Sequence, residues 1–260
     1  MAQYQENATV TSVEQLSEDN FRMTFSSPQI AADARPGQFV MVRSVGTADP
    51  LLRRPFCVHQ VEGDTLQIYF KVVGRGTQIM SQFGAGEEVS LLGPLGRGFS
   101  LTTGASCLVG GGLGIAPLLY LATELSKKVS DPQTITVILG GRTKVEVAPL
   151  VADFEKLGVR VLSATDDGSF GVKGFVTDIL ACESLNAATQ VYTCGPEAMM
   201  SRIYDHCKDK GFACQVSVEK EMACGMGACL GCCKEKKDGE YTHVCINGPV
   251  YNAEELKWDK

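Results

Sequence analysis

The sequence of 260 residues contains one tryptophan, three histidines and no run near the roughly 18 consecutive apolar residues that span a bilayer. Its opening, MAQYQENATVTSVEQ, has neither the basic segment nor the apolar segment of a secretory leader. These absences predict a soluble, cytoplasmic chain that engages no membrane. Basic residues are also in the minority, 24 Lys and Arg against 30 Asp and Glu for a net charge of −6. A nucleic-acid partner is therefore not expected, because phosphate-backbone binding needs clustered cations. His59, His206 and His243 are scattered without metal-ligand spacing, and no Ser-His-Asp set or carboxylate pair stands out. Chemistry performed by acid-base side chains has no candidates, an absence that suits hydride or electron transfer between bound cofactors.

Hydrophobic residues make up 44% of the chain, enough to fill the cores of two compact domains and a small appendage. The eleven cysteines are an odd number, so they cannot all pair within the chain, and a reducing compartment disfavours disulfides in any case. Five of them, Cys224, Cys229, Cys232, Cys233 and Cys245, fall within the last fifth of the sequence. That concentration points to a metal centre. Cys107, Cys182, Cys207 and Cys214 are expected on apolar faces or strand ends as small hydrophobes.

Up to Leu101 the chain alternates in short runs (ATVTSVEQL, FRMTFSS, GQFVMVRS, LQIYFKVVG, EEVSLLG) separated by Gly, Pro and Asp. The pattern predicts an antiparallel β-barrel over 1–101. From Ala105 the rhythm becomes strand then helix, four times over, with continuously apolar strands. Such strands are covered on both faces, which predicts a doubly wound parallel sheet over 102–212, and FACQVSVE would add a fifth strand before a small cysteine-rich domain over 213–260.

Three motifs carry chemistry. In LVGGGLGIAPLLYL a strand runs into glycines 110, 111, 112 and 114, and Pro117 falls in the first turn of a helix, where its missing N–H costs nothing. Glycines there let backbone approach a pyrophosphate at a helix N-terminus, although Gly112-x-Gly114-x-x-Pro117 departs from the usual dinucleotide fingerprint and would also serve as a tight turn without a ligand. Arg54 in LLRRPFCVH offers a permanently charged fork, and GRGT (Gly74 to Thr77) offers glycine N–H groups and a hydroxyl for the same kind of anion. Read singly, these would be a surface arginine and a hairpin turn. Finally, Cys224, Cys229, Cys232 and Cys245 have the spacing C-x4-C-x2-C-x12-C, whose first half is the plant-type [2Fe-2S] arrangement. Gly225, Gly227 and Gly231 would let the loop turn sharply and point N–H groups at sulfur. Cys233 is a packed thiol or a substitute for Cys232. The competing assignment is a structural zinc site, though only one pair of these cysteines has the C-x2-C spacing that zinc favours.

In order, RPFC, GRGT, LGPLGRGF, GGGLGIAP and CGPEAMM resemble the signature of the ferredoxin-NADP reductase superfamily. The resemblance implies that Arg54, Pro55, Phe56 and Cys57 hold FAD, with Arg54 on its pyrophosphate and Cys57 beside the isoalloxazine. It implies that Tyr69, Phe70, Lys71, Gly76 and Thr77 contact the rest of FAD. Gly111, Gly112, Gly114 and Pro117, together with Cys194, Gly195 and Pro196, would line the NAD site. Family members usually carry Ser or Thr where Cys57 stands, and a thiol is the weaker hydrogen-bond donor.

CGMGACLGC, VCINGPVYNAEEL and TDDGSFGVKG narrow the resemblance to the electron-transfer subunits of B-type dihydroorotate dehydrogenases. That resemblance spans essentially the whole chain. It implies an oxidoreductase subunit of pyrimidine biosynthesis that carries electrons between NAD and a catalytic partner through FAD and a [2Fe-2S] cluster. The partner implied is an FMN-containing dihydroorotate dehydrogenase catalytic subunit, in a heterotetramer with two copies of each chain. The rival within the same class is a small flavin/iron-sulfur subunit of an NAD(P)H-dependent ferredoxin or sulfide oxidoreductase.

Overall fold

A computed structural model describes residues 2–44 and 49–258. Six strands close an antiparallel barrel: β1 (Tyr4–Gln15), β2 (Asn20–Ser26), β3 (Phe39–Ser44), β4 (Arg54–Glu62), β5 (Thr65–Lys71) and β6 (Glu88–Leu95), in the order β1-β2-β5-β4-β3-β6. Closure leaves no strand edge open to pair with another chain. The inward residues, among them Val10, Met23, Phe25, Val40, Leu66, Ile68 and Leu91, form a continuous buried core. Two short helices, α1 (Pro28–Asp33) and α2 (Arg75–Met80), connect strands. One of the six strands carries none of the alternation that marks the others in the sequence. It is the RPFC segment itself, β4, whose first four residues are all half-buried because one face meets the barrel core and the other the second half of the molecule.

The second half is a sheet ordered β10-β9-β8-β7-β11-β12-β15. Its elements are β7 (Ser106–Gly111), α3 (Ala116–Ser126), β8 (Ile135–Gly141), α4 (Lys144–Glu155), β9 (Arg160–Thr165), β10 (Val172–Lys173), α5 (Val176–Cys182), β11 (Gln190–Cys194), α6 (Glu197–Lys210) and β12 (Ala213–Ser217). Every residue of β7 is buried, as a central strand covered on both faces requires. FACQVSVE forms β12, parallel to β11. Helix α6 ends at Gly211 in the left-handed region, φ 75°, where glycine carries no side-chain penalty. Cys107, Cys207 and Cys214 pack in the core as expected, whereas Cys182 is exposed at the end of α5, whose last turn buries Ile179 and Leu180 instead.

The cysteine-rich segment follows, with the hairpin β13 (Cys233–Glu235) and β14 (Tyr241–His243), the short helix α7 (Val244–Asn247) and β15 (Val250–Asn252). Strand β15 pairs antiparallel with β12 and so extends the parallel sheet. Lys234, only 7% exposed, ion-pairs with Glu197 at the start of α6 and lies 5.6 Å from the centre of the Trp258 ring. These contacts tie the segment to the α/β half, not merely to its neighbours in sequence.

Candidate functional site

Strand β7 is flanked by β8 on one side and β11 on the other, so the winding of the sheet reverses between β7 and β11. The carboxyl ends of strands at such a reversal leave a crevice. A cleft of about 740 Å³ opens there, lined by Gly111 to Gly114, Gly140 to Arg142, Asp166, Gly195 to Met200 and Glu219, and on the barrel side by Asn20, Tyr69 and Lys71. The glycine loop after β7 and the CGP loop after β11 touch backbone to backbone. A Cβ on Gly114 would stand 2.3 Å from the carbonyl oxygen of Cys194, and one on Gly195 would stand 2.9 Å from that of Gly111. No other residue type fits either position. Pro117 is the second residue of α3 and is buried, in the place its sequence context predicts.

The residues of the barrel motifs divide between this cleft and the barrel interior. Tyr69 and Lys71 line the cleft, while Phe70 between them points into the barrel and stacks on Phe21 at 5.7 Å. Phe56 packs against the same Phe70 ring. Burial first, then the carboxylates of Glu146 and Asp19, push the Tyr69 hydroxyl up to about 12. Lys71 pairs with Asp19 at 3.0 Å and with Glu146 at 3.6 Å, and its hydrogen bond to Asp19 raises its pKa. Arg54 lies beside the first turn of α2, where a Cβ on Gly76 would fall 3.2 Å from its Nε. GRGT thus opens a helix and not a hairpin turn, because Thr77 ties the loop together. Its hydroxyl accepts from the N–H of Val73 (2.9 Å) and of Gly74 (3.2 Å) and donates to the Gly74 carbonyl (2.9 Å). With its proton so engaged, Thr77 shapes the turn beside Arg54, whose guanidinium donates to the Leu52 carbonyl.

Cys57 faces the α/β half and lies near enough to Cys194 to act on it electrostatically. Burial pushes the Cys57 thiol up to about 12 and the Cys194 thiol well above its ordinary value, and the Glu219 carboxylate adds to both. Both thiols are therefore neutral. Glu219 is open to the solvent of the cleft, yet enough protein surrounds it that desolvation raises its own pKa. Sequence reasoning did not select Glu219. Its position at the close of an apolar strand on the carboxyl edge of a parallel sheet was the available signal.

The cysteine loop holds its thiols as two pairs. The Cys229 N–H donates to Cys224 Sγ at 3.4 Å, and the Cys245 N–H donates to Cys232 Sγ at 3.4 Å. A two-iron cluster would take its four thiolates from these two pairs. Slight burial raising the Cys224 pKa is outweighed by the N–H groups of Cys229, Met226 and Ala228 and by the Cys229 thiol, which hold it down to about 6, so it is a thiolate at neutral pH. Gly225 (φ 72°) and Gly227 (φ 82°) occupy the left-handed region, and a Cβ on them would meet Met41 at 2.6 Å and Ile246 at 2.8 Å. Cys233 opens β13 and is exposed, with no place in either pair. Met41, against which the loop packs, lies on β3 opposite Pro55 of β4. One strand therefore separates the cysteine loop from the RPFC segment.

Residues 219–257 match the iron-sulfur cluster binding domain of dihydroorotate dehydrogenase B, and residues 108–205 match the oxidoreductase NAD-binding domain. A protein of Desulforamulus reducens described as dihydroorotate dehydrogenase B (NAD(+)), electron transfer subunit, is 38% identical over 97% of this chain and 98% of its own length. A protein of the same description from Caldanaerobacter subterraneus is 40% identical, covering 96% of this chain and 97% of its own. Among solved structures, the NADH-dependent reduced ferredoxin-NADP oxidoreductase, studied for flavin-based electron bifurcation, superposes with a TM-score of 0.85 at 29% identity, covering 96% of this chain and 90% of that one. A ferredoxin-NADP reductase of Neisseria gonorrhoeae with bound FAD and NADP shares the fold at a TM-score of 0.65 and 18% identity, over 80% and 92% of the two chains.

Proposed function

We infer the function from a premise the comparisons establish: the chain belongs to the family of electron transfer subunits of NAD-dependent dihydroorotate dehydrogenase B. It is an oxidoreductase subunit that carries electrons between NAD and a catalytic dihydroorotate dehydrogenase partner by way of FAD and a [2Fe-2S] cluster. When bound, FAD converts the two-electron carrier into a one-electron one and the cluster relays single electrons onward.

The observation that carries this reading is the position of the cysteine loop. It packs on β3, one strand from Arg54 to Cys57, while the other side of β4 faces the α/β half and its cleft. In this proposal Arg54 and the start of α2 hold the flavin pyrophosphate, and Tyr69 and Lys71 bound the flavin from the cleft side. Cys57 sits beside the isoalloxazine as a neutral, weak donor. The loops Gly111 to Gly114 and Cys194 to Pro196 hold the nicotinamide nucleotide, Cys224 with Cys229 holds one iron, and Cys232 with Cys245 holds the other. The proposed division by role is 1–101, 102–212 and 213–260, with β12 and β15 of the last part completing the α/β sheet. Exposed Met226, Leu230 and Ile246 surround the cysteines and support docking of the partner at this loop. The partner proposed contains FMN and assembles with this chain two-to-two in the cytoplasm. Among the described residues no helix is long and apolar enough to cross a membrane.

The test is a reconstitution. The isolated holo-chain should oxidise NADH with artificial acceptors, and NAD reduction by dihydroorotate should begin only when the catalytic subunit is added. Dihydroorotate oxidation by the chain alone would overturn the assignment. NADH-driven reduction of ferredoxin without any effect of the catalytic subunit would favour the ferredoxin-linked reading, to which the 0.85 TM-score likeness lends weight.

A further inference from the structure

His59 is completely buried, two residues beyond Cys57 on the same strand. It is also the extra residue of a β-bulge. Val58 pairs with Ile68 and Gln60 with Gln67, so nothing on β5 stands opposite His59. Bulges commonly re-aim a side chain. This one aims the imidazole out of the barrel and onto helix α3, where Nδ1 lies 2.8 Å from the carbonyl oxygen of Ala116. Because a carbonyl can only accept, Nδ1 carries the proton and donates, leaving Nε2 as a bare acceptor. Nε2 has no hydrogen-bond partner among the described residues. Burial holds the ring neutral, its pKa lowered to about 4.

Ala116 is the first residue of α3 and directly follows the glycine loop, and its neighbour Ile115 closes the 3₁₀ turn that forms that loop. Two more bonds fix the same helix to the barrel side. Gln60 Nε2 donates to Thr123 Oγ1 at 2.8 Å, and the Tyr120 hydroxyl donates to the Ala34 carbonyl at 2.9 Å. Of the three, only the His59 bond joins the strand that bears Cys57 to the residue directly after the nucleotide loop. An apolar side chain would fill the space without stranding Nε2, so packing alone does not account for a histidine.

We propose that His59 is a positioning residue: its Nδ1–H bond to Ala116 sets the separation between the flavin-contacting strand β4 and the nicotinamide loop for hydride transfer, in which NADH is oxidised and FAD is reduced by the same two electrons. The inference rests on the function proposed above. A misplacement of about 1 Å between reacting groups costs on the order of a hundredfold in rate, so loss of this tether should act on the rate of transfer and leave both cofactors bound.

Asn and Gln variants separate tethering from space-filling. The Asn amide nitrogen occupies nearly the position of imidazole Nδ1, and the Gln amide nitrogen that of Nε2, so His59→Asn keeps the donor while the larger His59→Gln does not. In the FAD-loaded chain, anaerobic stopped-flow bleaching of the flavin by NADH should be at least tenfold slower in His59→Gln and in His59→Phe. His59→Asn should stay within threefold of wild type. FAD content and the NADH concentration at half-saturation should remain within twofold throughout. Without nucleotide, amide exchange in residues 110–120 should quicken in His59→Gln and not in His59→Asn. Wild-type bleaching rates in His59→Gln, or equal losses in Asn and Gln, would overturn the inference. If His59→Phe fails to fold with FAD, the Asn and Gln pair decides alone. Failure of the wild-type chain to be reduced by NADH would instead refute the function on which the inference rests.

Discussion

Replacing Gly114 by alanine tests whether the glycine loop and the CGP loop form one nucleotide site. A Cβ at position 114 would lie 2.3 Å from the Cys194 carbonyl oxygen and 2.4 Å from both the Cys194 carbonyl carbon and the Gly195 nitrogen. Backbone, not a flexible side chain, blocks it on all three counts. Real Cβ contacts begin near 3.0 Å, so the two loops must part by at least 0.7 Å. Overpacking of this kind costs roughly 1–3 kcal/mol in stability, and displacement of a positioning element by about 1 Å costs on the order of a hundredfold in rate. Gly114→Ala should therefore fold with full FAD and iron, bind NADH at least tenfold more weakly, and bleach its flavin with NADH about a hundredfold more slowly at subsaturating nucleotide. Gly104→Ala, whose Cβ would meet nothing closer than 3.7 Å, is the control and should behave as wild type. The assays are calorimetric NADH titration and anaerobic stopped-flow. Wild-type affinity and rate in Gly114→Ala would refute the argument that these two loops together bind the nucleotide.

Three further outcomes follow from the same geometry. Cys224→Ser, Cys229→Ser, Cys232→Ser and Cys245→Ser should each purify without iron while Cys233→Ser keeps its full complement, since only the first four form the two pairs; iron retention in Cys245→Ser, or loss in Cys233→Ser, contradicts the pairing. Arg54→Ala should lose FAD on purification, because a charge-assisted contact to an anion is worth roughly 1.5–3 kcal/mol, whereas Cys57→Ser should retain FAD and shift only its reduction potential; stoichiometric, tightly held FAD in Arg54→Ala would end the pyrophosphate role. His59, held neutral by burial with a pKa of about 4, stays uncharged in the folded chain while the unfolded chain protonates it below about 6.5. The unfolded state thus binds more protons between those values, so this contribution to stability is complete above about pH 6.5 and is lost as the pH falls toward 4. Between pH 7 and pH 5 the loss is about 2 kcal/mol by this linkage. Urea unfolding at the two pH values should show His59→Asn destabilised by that much less than wild type, and an equal loss in both would place the titration elsewhere.

Sequence alone determined the architecture here because the information was periodic or covalently local. Alternation with turn residues specifies the barrel, and continuous apolar strands followed by helices specify a sheet covered on both faces. Cys224, Cys229 and Cys232 and their intervening glycines lie in one tight loop, so chain connectivity alone keeps these three of the proposed ligands together, while Cys245 returns to them only after the β13–β14 hairpin. Tertiary structure decided whatever depends on contacts between distant segments. Strand β4 escapes periodic reading because its two faces meet two different cores, and the bulge at His59 gives no local sign of the helix it will touch. The close approach of Gly114 to Cys194 joins residues 80 apart, and the packing of Gly225 on Met41 brings the cysteines to within one strand of RPFC. Phe70, flanked by two cleft residues, is turned into the barrel by the two-residue period of the strand, and the Thr77 hydroxyl is drawn into its own loop. A motif names the residue types a site needs, but which of them face it is settled by which surfaces the packed elements leave open.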